Sequence, residues 1–93
     1  MLRWVATPTL KRLLFRLRQL REMHRLTQEA FSELSGISYK YYQAIEAGRK
    51  RDLRLSTLER LARAYGLEVY QLLALEMPTT RIPKRFNRKS GKR

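Results

Sequence analysis

Between Thr27 and Gly48 the chain carries two short stretches of helical pattern, each preceded by a hydroxyl residue and each followed by a glycine. Thr27 stands before Gln28 and Glu29, a capping oxygen followed by a carboxylate that favours the positive end of a helix. The pattern predicts a helix to about Leu34. Gly36 then falls where the chain needs a tight or left-handed turn, and Ser38 offers a second capping oxygen. A further helix is expected from Ser38 to about Ala47, closed by Gly48, which is free to take positive φ. Two helices joined by a turn of about four residues form the geometry in which the second helix projects from a domain.

The flanks supply what such a pair needs to pack against. Thr7-Pro8-Thr9 suits a first helical turn. Beyond it Leu10, Leu13, Leu17, Leu20 and His24 recur at three- and four-residue steps, while Lys11, Arg12, Arg16 and Arg18 mostly fall elsewhere on the wheel. A helix over 8–24 follows from this stripe. After a basic connector at 49–54, Ser56-Thr57-Leu58-Glu59 fits the reciprocal capping box and predicts a helix from Thr57 to Tyr65. Gly66 closes it, and Val69, Leu72 and Leu73 read as a short fifth helix. No strand pattern occurs. From Met77 onward there are two prolines, one glycine, seven basic residues and no acidic ones, which predicts a disordered basic tail. The chain thus divides into an N-terminal extension (1–8), a helical domain (9–76) and a flexible tail (77–93).

Ninety-three residues hold one domain with a modest core. A net charge of +13 points to a polyanionic partner without saying which. Residues 1–76 carry 14 basic and 8 acidic side chains and the tail adds seven more cations, so domain and tail are both suited to one anionic partner. There is no cysteine, which removes disulfides and thiolate metal sites. The apolar runs fall far short of the ~20 residues that cross a bilayer as a helix, and a soluble chain is expected. The acid-free start to Arg21 has the look of a transit peptide, but its leucines are needed for a core. His24 has no neighbouring ligands at metal spacing, and no serine sits in a nucleophile context. No metal, cofactor or catalytic residue is expected.

The whole run from Leu26 to Gly48, with Thr27-Gln28, Ser35-Gly36-Ile37-Ser38 and Ile45-Glu46-Ala47-Gly48, resembles the Cro/CI-type helix-turn-helix family, the xenobiotic-response-element family of phage and bacterial regulators. The likeness extends from about Leu10 to Leu73. It implies an all-α, compact five-helix bundle of the lambda-repressor-like DNA-binding type, in which the third helix enters the major groove of double-stranded DNA. A helix fits that groove, where all four base-pair orientations differ in donors and acceptors. Carried over by position, Tyr39 and Lys40 fall on the leading base-reading places and Ala44 one turn further on. Gln28 matches a phosphate-holding position at the start of the second helix. Ser38, Tyr41 and Gln43 are further candidates, and Arg49, Lys50 and Arg51 would neutralise adjacent backbone. Glu46 matches a position paired with an arginine of the first helix, here Arg21. Tyr42 belongs to the core, where the family usually has an aliphatic residue.

The plainer reading of the remaining first-helix cations, Arg16, Arg18 and Arg25, is a solvated face. In function, the resemblance points to a cytoplasmic, nucleoid-associated regulator, a repressor acting as a homodimer on a two-fold-related operator. One recognition helix reads only about 4–5 base pairs, too few for a useful site. An antitoxin or controller protein, with the tail folding on a protein partner, is a second reading. A third has the first helix on an anionic membrane through Leu13, Leu14, Phe15 and Leu17, and a fourth is nonspecific nucleic-acid binding through the tail.

Overall fold

The computed structural model describes residues 7–82. Five helices follow one another there: α1 (Pro8–Met23), α2 (Gln28–Ser35), α3 (Tyr39–Glu46), α4 (Leu55–Arg63) and α5 (Val69–Leu72). Local chemistry sets most of their ends. The hydroxyls of Thr7, Thr27 and Ser38 accept from the backbone N–H groups of Leu10, Ala30 and Tyr41, so each satisfies a donor that its helix leaves unpaired.

One expected cap is corrected. The box at Ser56 to Glu59 does not form, because the N-cap of α4 is Arg54 and its first turn begins two residues earlier. The Arg54 carbonyl already accepts from the N–H groups of Thr57 and Leu58. Leu53, just upstream, packs against the core, and the chain turns into helix directly after it.

The end of α1 carries no glycine, yet Arg25 takes φ 55°. Arg25 N–H donates to the Glu22 carbonyl and Leu26 N–H to that of Arg21, closing the helix through a left-handed residue. A side chain in that conformation costs roughly 1–2 kcal/mol, partly offset by the unfolded-state freedom that glycine adds. Arg25→Gly is therefore expected to stabilise the protein by about 0.5–1 kcal/mol. The check is a higher denaturant midpoint at unchanged slope.

The leucine stripe of α1 does what its spacing predicts: Leu13, Leu17 and Leu20 are buried with Phe31, Tyr42, Ile45, Leu61, Tyr65 and Leu72 in one core. The leucines offered to a membrane are thus spent on protein, with the exception of Phe15, which is exposed, and Leu14, half-buried against the core. Among the described residues no helix is long and apolar enough to cross a membrane. Three ring contacts run through the interior, with centroids 5.4 Å apart for His24 and Tyr65, 5.0 Å for Tyr65 and Phe31, and 4.9 Å for Phe31 and Tyr42.

Arg16 overturns the reading of α1's cations as a uniformly solvated face. It is only 4% exposed, and its guanidinium donates to three successive carbonyls beyond α5: Ala74 at 2.9 Å, Leu75 at 3.2 Å and Glu76 at 3.4 Å. Its position explains this, since Arg16 lies one helical turn from both Leu13 and Leu20 and shares their inward face. Burial, aided by the like charge of Arg12, lowers its pKa. The carbonyls it collects have run out of helical donors, so charge and orphan acceptors satisfy each other.

The same segment leads into the tail. Residues 74–82 form a strap that returns across the body: Thr80 Oγ1 lies 2.7 Å from His24 Nε2, Arg81 N–H donates to the Tyr65 carbonyl at 2.9 Å, and Ile82 packs against the core. The first residues of the tail, as far as Ile82, thus lie against the body, where a one-turn α5 leaves apolar surface for the strap to cover. Gly66 makes room for it. Its φ is +72°, and a Cβ there would stand 3.0 Å from the Arg81 carbonyl oxygen. The remainder of the tail, 83–93, and most of the N-terminal extension, 1–6, lie outside the described residues.

Candidate nucleic-acid interface

The turn between α2 and α3 is built at Gly36, whose left-handed φ of 77° reverses the chain and whose carbonyl accepts from Arg60 Nη1 at 3.1 Å. Arg60 thus ties α4 to the turn and fixes the direction in which α3 leaves. The inward side of α3 is Tyr42 and Ile45, both fully buried. Helical geometry then turns Tyr39, Lys40 and Gln43 outward.

That outward face is polar and organised. Tyr39 is 43% exposed, Lys40 is exposed, and Gln43 Nε2 donates to the Tyr39 hydroxyl at 3.2 Å, one turn away. Beside them an open groove is lined by Arg18, Gln28, Gln43, Glu46, Ala47 and Arg49. The connector beyond, with Arg49, Lys50 and Arg51 all exposed, curves around a second concavity with Gly48 and Asp52. Lys50 Nζ sits 5.6 Å from the Tyr41 ring centroid, a cation–π contact that steadies a half-buried aromatic. Ser38 is exposed, with its hydroxyl committed to the cap.

Two candidates sit differently from what the sequence suggested. Ala44 is only 8% exposed, so its methyl offers little surface to a base. Gln28, at the head of α2, spends its amide N–H on Glu46 Oε1 at 2.9 Å. Arg18 is exposed, as a solvated cation should be, and it also lines the groove and donates to the Glu46 backbone carbonyl at 3.3 Å. Its spacing of three residues from Arg21, on one flank of α1, is the signal that could have found it.

Glu46 holds the arrangement together. It is 4% exposed, and Arg21 grips its carboxylate with two bonds, Nε to Oε2 at 2.8 Å and Nη2 to Oε1 at 3.1 Å. The Tyr42 hydroxyl donates to Oε2 as well, and Arg21 Nη1 reaches the Leu26 carbonyl at 3.0 Å. α1, α2 and α3 therefore meet on one carboxylate, and Arg21 ties the connector into α2 to the same cluster. Burial alone would push its pKa up, but the hydrogen bonds from Arg21, Tyr42 and Gln28, with the charge of Arg21, hold it below the ordinary value. Arg21 is correspondingly raised, chiefly by its hydrogen bond to Glu46. Tyr42 is raised by burial and by that carboxylate, so its hydroxyl stays a donor. The expected Arg21–Glu46 pair is present, and the aromatic at 42 is accommodated because its hydroxyl joins the cluster.

A family model described as Helix-turn-helix matches residues 17–72, more than half of the chain. The chain belongs to the Cro/CI-type helix-turn-helix family. Neither the curated proteins nor the solved structures yielded a match. Membership in this helix-turn-helix family makes the chain a DNA-binding regulator, and the family is a regulatory one, not a catalytic one. The matched span takes in Leu17 of α1 through Leu72 of α5, and so includes every candidate contact from Gln28 to Arg51.

Proposed function

We propose that this protein is a transcriptional repressor that lays α3 in the major groove and binds a two-fold-related operator as a dimer. The observation that carries the reading is the outward face of α3: Tyr39 and Lys40 are exposed, Gln43 shares an open groove with Arg18, Gln28 and Arg49, and Lys50 and Arg51 are exposed on the connector that follows. A polar strip with cations beside it fits base edges next to a phosphate backbone. Lys40 donates to guanine O6 and N7, and Tyr39 supplies a hydroxyl or an apolar contact to a thymine methyl. Gln43 shares the Tyr39 hydroxyl and sets its orientation. Arg18, Arg49, Lys50 and Arg51 hold phosphates, which adds affinity without sequence choice. Gln28, with its amide fixed by Glu46, presents the backbone N–H groups of α2's first turn to another phosphate.

Selection of bound duplexes from a random library at ~150 mM salt, where weak electrostatic binding is suppressed, tests this directly. The expected result is an enriched motif with inverted half-sites, and no enrichment would sink the proposal. Within that motif Lys40→Ala is expected to relax preference at one base pair, at a cost of ~1–3 kcal/mol there. A loss spread evenly over every sequence would instead make Lys40 a phosphate contact.

A further inference from the structure

A cleft of about 250 Å³ opens beside the turn between α2 and α3. α3 and its cap contribute Tyr41 and Ser38 to its wall, and the start of α4 contributes Arg54, Ser56, Thr57 and Arg60. None of the residues lining it is acidic. Asp52 lines the separate concavity of the connector, and Glu59 lines the groove between α4 and α5. Arg54 is exposed and gives α4 no side-chain cap. Arg60 is exposed too, and its Nη1 bond to the Gly36 carbonyl at 3.1 Å fixes where the guanidinium stands. A guanidinium has five N–H donors, so one such bond positions the group without exhausting it. Ser56 is exposed and Thr57 half-buried, and both hydroxyls can donate to an anionic oxygen.

We propose that this cleft holds a phosphodiester of the DNA backbone through Arg54 and Arg60, with Ser56 and Thr57 beside them. The proposal rests on the reading of α3 as the groove-reading helix and adds a second line of backbone contact to it. At about 100° per residue, Tyr41 lies about 100° round α3 from Lys40 in one direction and Gln43 about 60° in the other. Gln43 borders the groove of Arg18, Gln28 and Arg49, whereas Tyr41 borders this cleft. Lys40 therefore projects between two depressions that both carry arginines, as suits a helix lying between the two backbones that wall a major groove. Guanidinium groups match phosphate oxygens in geometry and charge, and their contacts set register without reading sequence. Arg60 joins the two tasks, because the side chain that meets the phosphate also holds the turn from which α3 departs.

The test uses the full-length chain and a mixed-sequence duplex, so it needs no operator. Affinity is followed by fluorescence anisotropy between about 50 and 200 mM salt. In Arg54→Gln the slope of log K against log salt is expected to become shallower by about 0.9, the value for one phosphate contact on B-DNA, at an unchanged melting temperature. Arg63→Gln removes the same charge from α4 but lines the groove on the α5 side, and is expected to keep the parental slope. Ser56→Glu is expected to weaken binding where Ser56→Gln does not, a comparison that removes no native cation. A parental slope in Arg54→Gln, an equal change in Arg63→Gln, or equal binding by the two Ser56 variants would overturn the proposal. A shallower slope in Arg54→Gln alone, alongside a library selection that enriches no motif, would keep the phosphate site and remove the repressor reading. An enriched motif with an unchanged slope would do the reverse.

Discussion

Replacing Arg21 with methionine is expected to cost about 3 kcal/mol of stability, the lower end of what breaking a buried ion pair costs. Glu46 would then be a buried carboxylate whose neutralising charge is gone. Tyr42 and Gln28 still donate to it, which keeps the loss from the upper end of the range. At about 4–8 °C per kcal/mol for a domain of this size, the melting temperature falls by some tens of degrees at most. Restoring neutrality with Glu46→Gln in the same chain should recover part of the loss, since an amide at 46 carries no charge to strand. Failure of the second change to recover anything would show that Arg21 acts through its stem and the Leu26 carbonyl instead.

The pair also sets the acid limb of stability. Glu46 has a folded pKa held below its unfolded value, so its contribution is present above the ordinary carboxylate pKa of about 4.3 and is lost as pH falls through the folded value. His24, lowered by burial, acts in the same direction at higher pH: its stability contribution is complete above about 6.5 and declines as pH drops below that. In Arg21→Met the folded pKa of Glu46 rises, because burial is then opposed only by the hydrogen bonds from Tyr42 and Gln28, and the acid-side loss that Glu46 causes in the parent shrinks. Denaturant titrations across pH 7 to 4 check this. Parallel curves for the two proteins would remove the claim that Arg21 sets the ionisation of Glu46.

Truncation after Glu76 is expected to destabilise the fold by about 3–4 kcal/mol, whereas truncation after Ile82 leaves it close to unchanged. The first cut removes the Arg81 bond to Tyr65, the Thr80 contact with His24 and the packing of Ile82. Two hydrogen bonds at ~1 kcal/mol each and a partly buried isoleucine at ~1–2 kcal/mol give that range. Thermal melts of the two truncations check it, and equal melting temperatures would show that the strap adds nothing. The comparison also bears on DNA binding. A chain ending at Glu76 would lose affinity through unfolding, so the cut that isolates the contribution of the distal cations to binding is the one after Ile82. That cut is expected to weaken all duplexes alike.

Much of this molecule was readable in one dimension. The caps at Thr7, Thr27 and Ser38 act across three residues and the leucine stripe of α1 repeats every three or four, so both are visible to anyone reading a short window. The same logic located the turn at Gly36 and the inward placement of Tyr42 and Ile45. It failed at α4, where a plausible capping box lost to a start two residues earlier, and at Arg25, which takes a glycine-like conformation because the turn's own hydrogen bonds demand it. The pairing of Arg21 with Glu46 came from family resemblance, since no periodicity links residues 25 apart.

The sequence by itself determined the helix-turn-helix between Thr27 and Gly48, the all-α class and the positive charge, because each rests on interactions within a turn or on simple counting. Only the tertiary structure decided that Arg16 is buried against carbonyls 58 to 60 residues away, that Gln28 serves Glu46, that Ala44 is withdrawn, and that the chain beyond α5 returns to cover the core. The reason is physical. A cation and a polar amide have the same local propensities whether solvated or buried, and what separates the two outcomes is which orphan acceptors the rest of the chain brings within reach.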